Sequence, residues 1–167
     1  NDLRRNPSKY KLSNGTLVSS QYPRTHALEE SDLMASIARY KSLYMLAYDD
    51  FSHFYNKGPL AGVGSGEVRE LVFFSTPFWA ENIAYRGSTV KSKATEYGDA
   101  LFSQWLNSPG HLANMMDSTP KYLGVGVVAV RNANNMYMVY GTQHFASTKP
   151  TTLTNKLPSP ISTGRQG

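Results

Sequence analysis

Two strand-length runs near the C-terminal end, residues 123–130 and 136–145, flank a turn at Asn132, Ala133, Asn134 and Asn135. The first is β-branched, with Gly124 and Gly126 on one face and Leu123, Val125 and Val127 on the other. In the second, Tyr137, Val139, Gly141, Gln143 and Phe145 alternate with Met136, Met138, Tyr140, Thr142 and His144. Period-two alternation about an Asn-rich turn predicts an antiparallel hairpin. A strand face made of glycines predicts another layer pressed close against it. The rest of the chain has to supply that layer.

The candidate lies upstream. Leu33, Ile37, Tyr40, Tyr44 and Tyr48 recur at three- and four-residue spacing, with Met34, Ala38, Met45 and Ala47 widening the stripe. That spacing predicts a long helix from about residue 28 to Asp49-Asp50. Thr25 or Ser31 can cap it, and Glu29, Glu30 and Asp32 suit the positive end of its dipole. The tyrosine stripe reads as core packing in preference to a ligand surface.

Ser92 is the expected cap of a second helix over about residues 93–106, with Ala94, Tyr97, Leu101 and Trp105 on its apolar face. Ser108-Pro109 is a helix-start signature, Ser as cap and Pro at the first helical position. A short helix through Met116 follows, with His111 in its first turn.

The remaining segments are punctuated. Residues 1–27 read as an N-terminal arm lying on the domain, with a small hairpin turn at Asn14-Gly15. Gly62, Gly64 and Gly66 lack the Lys-Ser/Thr of a phosphate loop and read as a flexible loop. Residues 70–75 read as a short strand or buried turn before Pro77. Residues 148–167, rich in Pro, Ser, Thr and Lys, read as a flexible C-terminal tail.

At 167 residues the chain is one ordinary domain, long enough to bury roughly two-thirds of its unfolded surface. No apolar run approaches the roughly 20 residues of a membrane helix. Any signal peptide or lipid anchor is expected to lie outside this sequence. The net charge of +5 is carried by the ends: residues 25–145 hold nine Lys/Arg against eleven Asp/Glu, or −2. A nucleic-acid domain would carry its basic patch on folded elements, so no nucleic-acid partner is expected. The absence of cysteine excludes disulfides, thiol catalysis and Cys-based zinc sites.

Among the candidates for chemistry, His26 lies at the junction of arm and helix and is expected at the surface. His144 is expected to be a packed or hydrogen-bonded strand residue. His53, after the long helix, and His111, opening the short one, sit at element ends, where side chains project into clefts. Glu81 follows an aromatic cluster, where burial would perturb its protonation. Spacings of 28 and 30 residues carry no metal signature such as HExxH. No nucleophile elbow, Walker loop or dinucleotide motif is present.

Five motifs occur in order: Phe51-Ser52-His53; Ala80-Glu81-Asn82-Ile83-Ala84; Trp105-Leu106-Asn107-Ser108-Pro109-Gly110-His111-Leu112-Ala113-Asn114; Gly124-Val125-Gly126; and Tyr140-Gly141-Thr142-Gln143-His144-Phe145. Over residues 28–147 they resemble the CAP superfamily, the group of cysteine-rich secretory proteins, venom antigen 5 and plant pathogenesis-related 1 proteins. The match is closer to its cysteine-free bacterial, SCP-like branch. The resemblance implies an α+β fold, a three-layer α-β-α sandwich with a central antiparallel sheet, in an extracellular or cell-surface protein. It also implies a cleft with two His and two Glu that holds a divalent metal such as zinc in some members. His53, Glu81 and His111 fill three of those positions. Ser108 stands where the second Glu is expected, and Glu96, nine residues before Trp105, does not align.

Two imidazoles and one carboxylate make a three-ligand zinc site with an open water position, but the general base is then missing. The reading preferred on these grounds is a non-enzymatic binding module, exported or attached to the bacterial surface, for a lipid, peptide or host or envelope partner. One rival is a metal-dependent, protease-like hydrolase using His53, Glu81 and His111; another is a structural or adhesion module of the envelope.

Overall fold

The structure is a computed structural model that describes residues 1–72, 78–150 and 156–160. In chain order its elements are α1 (Asp2–Arg5), β1 (Glu29–Glu30), α2 (Asp32–Tyr48), β2 (Phe54–Tyr55), β3 (Val63–Gly64), α3 (Ser65–Val72), β4 (Trp79–Ser88), α4 (Ala94–Leu106), α5 (Pro109–Met116), β5 (Tyr122–Arg131) and β6 (Tyr137–Ala146). The main sheet runs β1-β5-β6-β4, with β4, β5 and β6 antiparallel and the two-residue β1 added parallel to β5. Helix α2 covers one face and α4 with α5 the other. The chain therefore forms the expected α-β-α sandwich.

The glycine face of β5 does what its composition demands. A Cβ on Gly124 would overlap the backbone of Met34 and Ala35, and one on Gly126 that of Ala38 and Arg39. Helix α2 thus sits directly on the strand, and Ser42 Oγ seals the contact by donating to the Gly126 carbonyl at 2.9 Å. On the other face, Leu101 and Trp105 of α4 press on Gly141, and they share a core with Leu112, Met115, Met116, Val139 and Phe145.

Local chemistry sets the helix ends. Ser31, extended, accepts from Met34 N–H at 3.3 Å and caps α2, which stops at the left-handed Asp49 (φ 48°). Helix α4 is capped at Lys93, not Ser92, because the Glu96 carboxylate accepts from Lys93 N–H at 2.8 Å. Pro109 opens α5 behind an extended Ser108.

The arm is part of the core. Leu3 and Val18 join the apolar cluster under α4 and α5, and the buried Arg4 donates to the carbonyls of His26, Met115 and Asp117. Its turn forms where expected, with Lys11 bridging Leu17 and Gly15 at φ 87°.

Two expectations are corrected. Residues 62–66 are no flexible loop: Val63-Gly64 pairs with Phe54-Tyr55, and α3 begins at Ser65. Residues 70–72 are the end of α3, not a strand or turn, while residues 73–75 lie outside the described residues. Strand β4, at the sheet edge, had no strand signal in the sequence.

Candidate functional site: a carboxylate between two histidines

Register builds the centre of the site. Glu81 on β4 lies directly across from His144 on β6, and His144 lies across from Gly124 on β5. Gly124 faces α2, so Glu81 and His144 share the α2 side of the sheet. Glu81 Oε2 is 2.7 Å from His144 Nε2, and Oε1 is 2.8 Å from His53 Nδ1. An ionised carboxylate can only accept, so both nitrogens donate. Whenever either ring is neutral its tautomer is thereby fixed: His53 then presents an unprotonated Nε2 and His144 an unprotonated Nδ1, which has no hydrogen-bond partner among the described residues.

Burial raises the Glu81 carboxyl pKa, but the bonds from His144 and His53 and the attraction of His144 and Lys41 outweigh it. The group is held down at about 2. Its side chain is 6% exposed and that of His144 1%, whereas that of His53 is 54% exposed. One oxygen of the buried carboxylate meets a buried imidazole and the other an exposed one.

Neighbouring groups hold this arrangement. The Trp79 ring lies 4.5 Å from that of His144. Lys41, buried on α2, donates to the Phe54 carbonyl at 3.0 Å and sits 3.9 Å above the Tyr55 ring. Burial lowers its pKa to about 8, against the opposing pull of Glu81 and Asp50. The His53 loop is fastened at two points. Asp50 accepts from the Asn56 backbone at 2.7 Å and side chain at 2.9 Å, and the His53 carbonyl accepts from Ser65 N–H at 3.0 Å.

His111 arrives from the opposite side of β4. Asn82, which points away from Glu81 by strand alternation, donates to the His111 carbonyl at 3.0 Å and accepts from Asn114 at 2.8 Å. Those bonds pin α5 to the strand. Burial, and then the nearby charge of His53, lower the His111 pKa. The structure thus joins His53 to Glu81, ties the His111 backbone to β4 through Asn82, and gives the remaining Glu81 oxygen to His144. His26 is exposed and apart, its Nε2 donating to the Pro120 carbonyl at 2.8 Å. Ser108 serves the start of α5, its carbonyl accepting from Leu112 N–H at 2.8 Å.

Among the described residues, no three His, Cys, Asp or Glu side chains are grouped to hold an ion. The bonding explains why. Both Glu81 oxygens accept N–H groups, and His53 turns Nε2 away from Glu81. A three-ligand centre on His53, Glu81 and His111 is not assembled in this hydrogen-bonded arrangement, and an ion there would have to displace the proton that His53 shares with Glu81. His53 Nε2 and the His111 ring remain as imidazole donors.

Three contributors are only partly legible in the sequence. His144 is the packed, hydrogen-bonded strand residue expected, but its partner Glu81 emerges only from its pairing with β4. Lys41 was masked by the apolar stripe around it. The third is a set of exposed rings: Phe51 lies edge-on to Tyr85 at 4.8 Å, Tyr85 stacks on Tyr140 at 5.5 Å, and Phe54, next to His53 in the chain, is exposed as well.

The profile of the family described as CAP, cysteine-rich secretory protein family, matches residues 1–145. Among solved structures, an extracellular protein containing a SCP domain from Bacillus anthracis str. Ames is similar, with TM-score 0.56, 24% identity, and 78% of this chain and 37% of that chain covered. The present chain thus spans little more than a third of that protein. An outer surface protein from Borrelia burgdorferi is similar with TM-score 0.51, 16% identity, and 76% of this chain and 80% of that chain covered. No curated protein matches. At these identities the two structures speak for the fold.

Proposed function

The chain belongs to the CAP family of cysteine-rich secretory proteins, and from that premise we propose that it is an exported binding domain without an enzymatic activity of its own. Its recognition surface is the His53 imidazole and the exposed rings of Phe51, Phe54 and Tyr85. The observation that carries this reading is the unequal hold on Glu81, sealed by His144 inside and spent on orienting His53 outside. An oriented imidazole offers a hydrogen-bond acceptor at Nε2, and exposed rings offer apolar contact at little entropy cost. That pairing suits a peptide or protein segment with a donor group beside an apolar side chain. The extracellular and outer-surface descriptions of the similar structures support export, and a lipid anchor outside this sequence would attach the domain to the envelope.

The test is an immobilised array of peptides from envelope and host surface proteins, probed with wild type, His53→Ala and Phe54→Ser. The reading expects peptides that wild type retains and both variants lose at unchanged melting temperature. Equal retention by all three would overturn it and leave a structural envelope module.

A second reading is a metal-dependent hydrolase, favoured by one observation: His53 and Glu81, two of the three expected ligands, already meet at 2.8 Å. It expects tight zinc binding that His53→Ala and His111→Ala each weaken at least tenfold, as loss of one ligand should. Calorimetry showing no zinc uptake removes it.

A further inference from the structure

Helix α2 has a second apolar face that the sheet does not use. Tyr40, Tyr44 and Tyr48 project from successive turns, with ring centroids 5.9 and 4.5 Å apart, and Tyr55 closes on Tyr44 edge-on at 4.7 Å. With Leu60, Val63 and Val68 they form a cluster separate from the sheet core. The Tyr44 hydroxyl is fully engaged, donating to the Lys57 carbonyl at 2.6 Å and accepting from Leu60 N–H at 3.0 Å. The Tyr40 hydroxyl instead donates to the carbonyl of Pro158 at 2.7 Å, reaching 118 residues along the chain.

Residues 156–160 therefore lie along this face. Leu157 packs both on the tyrosine cluster and on Leu33 and Ile37. Leu157, Pro158 and Pro160 are half-buried, while Lys156 and Ser159 are exposed. Extended proline segments lose little entropy on docking, and their carbonyls are open to hydroxyl donors from an aromatic-lined groove. All three requirements are met here: aromatic walls, a tyrosine hydroxyl on a proline carbonyl, and an apolar anchor beside it.

We propose that the Tyr40 face of α2 is a docking groove for Leu-Pro-x-Pro segments, and that residues 156–160 occupy it as an intramolecular ligand. This groove is distinct from the His53 surface, and the inference stands whether or not the binding function proposed above holds. A tethered ligand acts at an effective concentration of order millimolar. A free segment of the same chemistry must displace it, so the groove is closed in the intact chain and opens when the tether is weakened.

The experiment uses the full chain and a fluorescein-labelled peptide of residues 156–160, read by anisotropy. Wild type is expected to bind weakly. Leu157→Asp, whose carboxylate cannot rest among tyrosine rings, is expected to bind at least tenfold more tightly. Adding Tyr40→Phe to that variant should weaken it again about fivefold, the loss of one hydrogen bond. The double variant Pro158→Gly, Pro160→Gly loosens the segment without an added charge and should open the groove in part, which keeps the test valid if Leu157→Asp misfolds. Equal affinity in wild type and the opened variants, or no binding to any of them at millimolar peptide, would overturn the proposal.

Discussion

The two histidines on Glu81 make nearly the same bond in opposite surroundings. His144 sits in the middle of the sheet, 1% exposed, with Trp79 against it; His53 is on a loop and 54% exposed. A buried charged pair is expensive to break, because the partner left behind stays desolvated. An exposed pair contributes little to stability, because water and salt replace the missing group. One carboxylate is thus structural through His144 and positions a recognition group through His53.

The largest expected effect breaks the buried side. His144→Ala leaves Glu81 with one partner and a cavity under α2, and should cost about 3–5 kcal/mol in urea unfolding. A cost below about 1 kcal/mol would mean that water fills the role and the two sides are alike.

Acid sharpens the comparison. A carboxyl held at about 2 when folded, against 4.5 ordinarily, stabilises the fold above about pH 4.5, and that contribution is lost as pH falls toward 2. The loss should amount to a few kcal/mol, and Glu81→Gln should flatten this limb while keeping the fold. Base probes the neighbour. Lys41 is lowered to about 8, so the unfolded chain binds more protons between there and 10.5, and stability should rise with pH across that window. Lys41→Met should abolish the rise.

The smallest effect is on the open side. His53→Ala should change stability by no more than about 1 kcal/mol. A loss as large as that of His144→Ala would erase the asymmetry on which the recognition role rests.

Much of the frame was legible in the sequence. Gly124 and Gly126 announced the close layer, the spacing of α2 supplied it, and Ser108-Pro109 placed the start of α5. Strand β4 was not, for a physical reason. Glu81 lies under α2 while its neighbour Asn82 is buried against α5, so polar residues fall on both faces and the alternation disappears. Without β4 there was no register, and without register His144 could not be given its partner. The strands at Phe54 and Val63 are two residues long, too short to show a period. The contact of Leu157 with α2 is a single apolar residue within a polar, proline-rich stretch, where composition argues for a tail.

The most direct test of the account is a carbon-13 titration of the Glu81 side-chain carboxyl in the intact protein. Glu81 is expected to stay ionised through pH 4 and to titrate at about 2, held by His144 and His53. A carboxyl that titrates at 4.5 or above would contradict it, because burial would then outweigh the two histidines and Glu81 would not be the anion that orients His53.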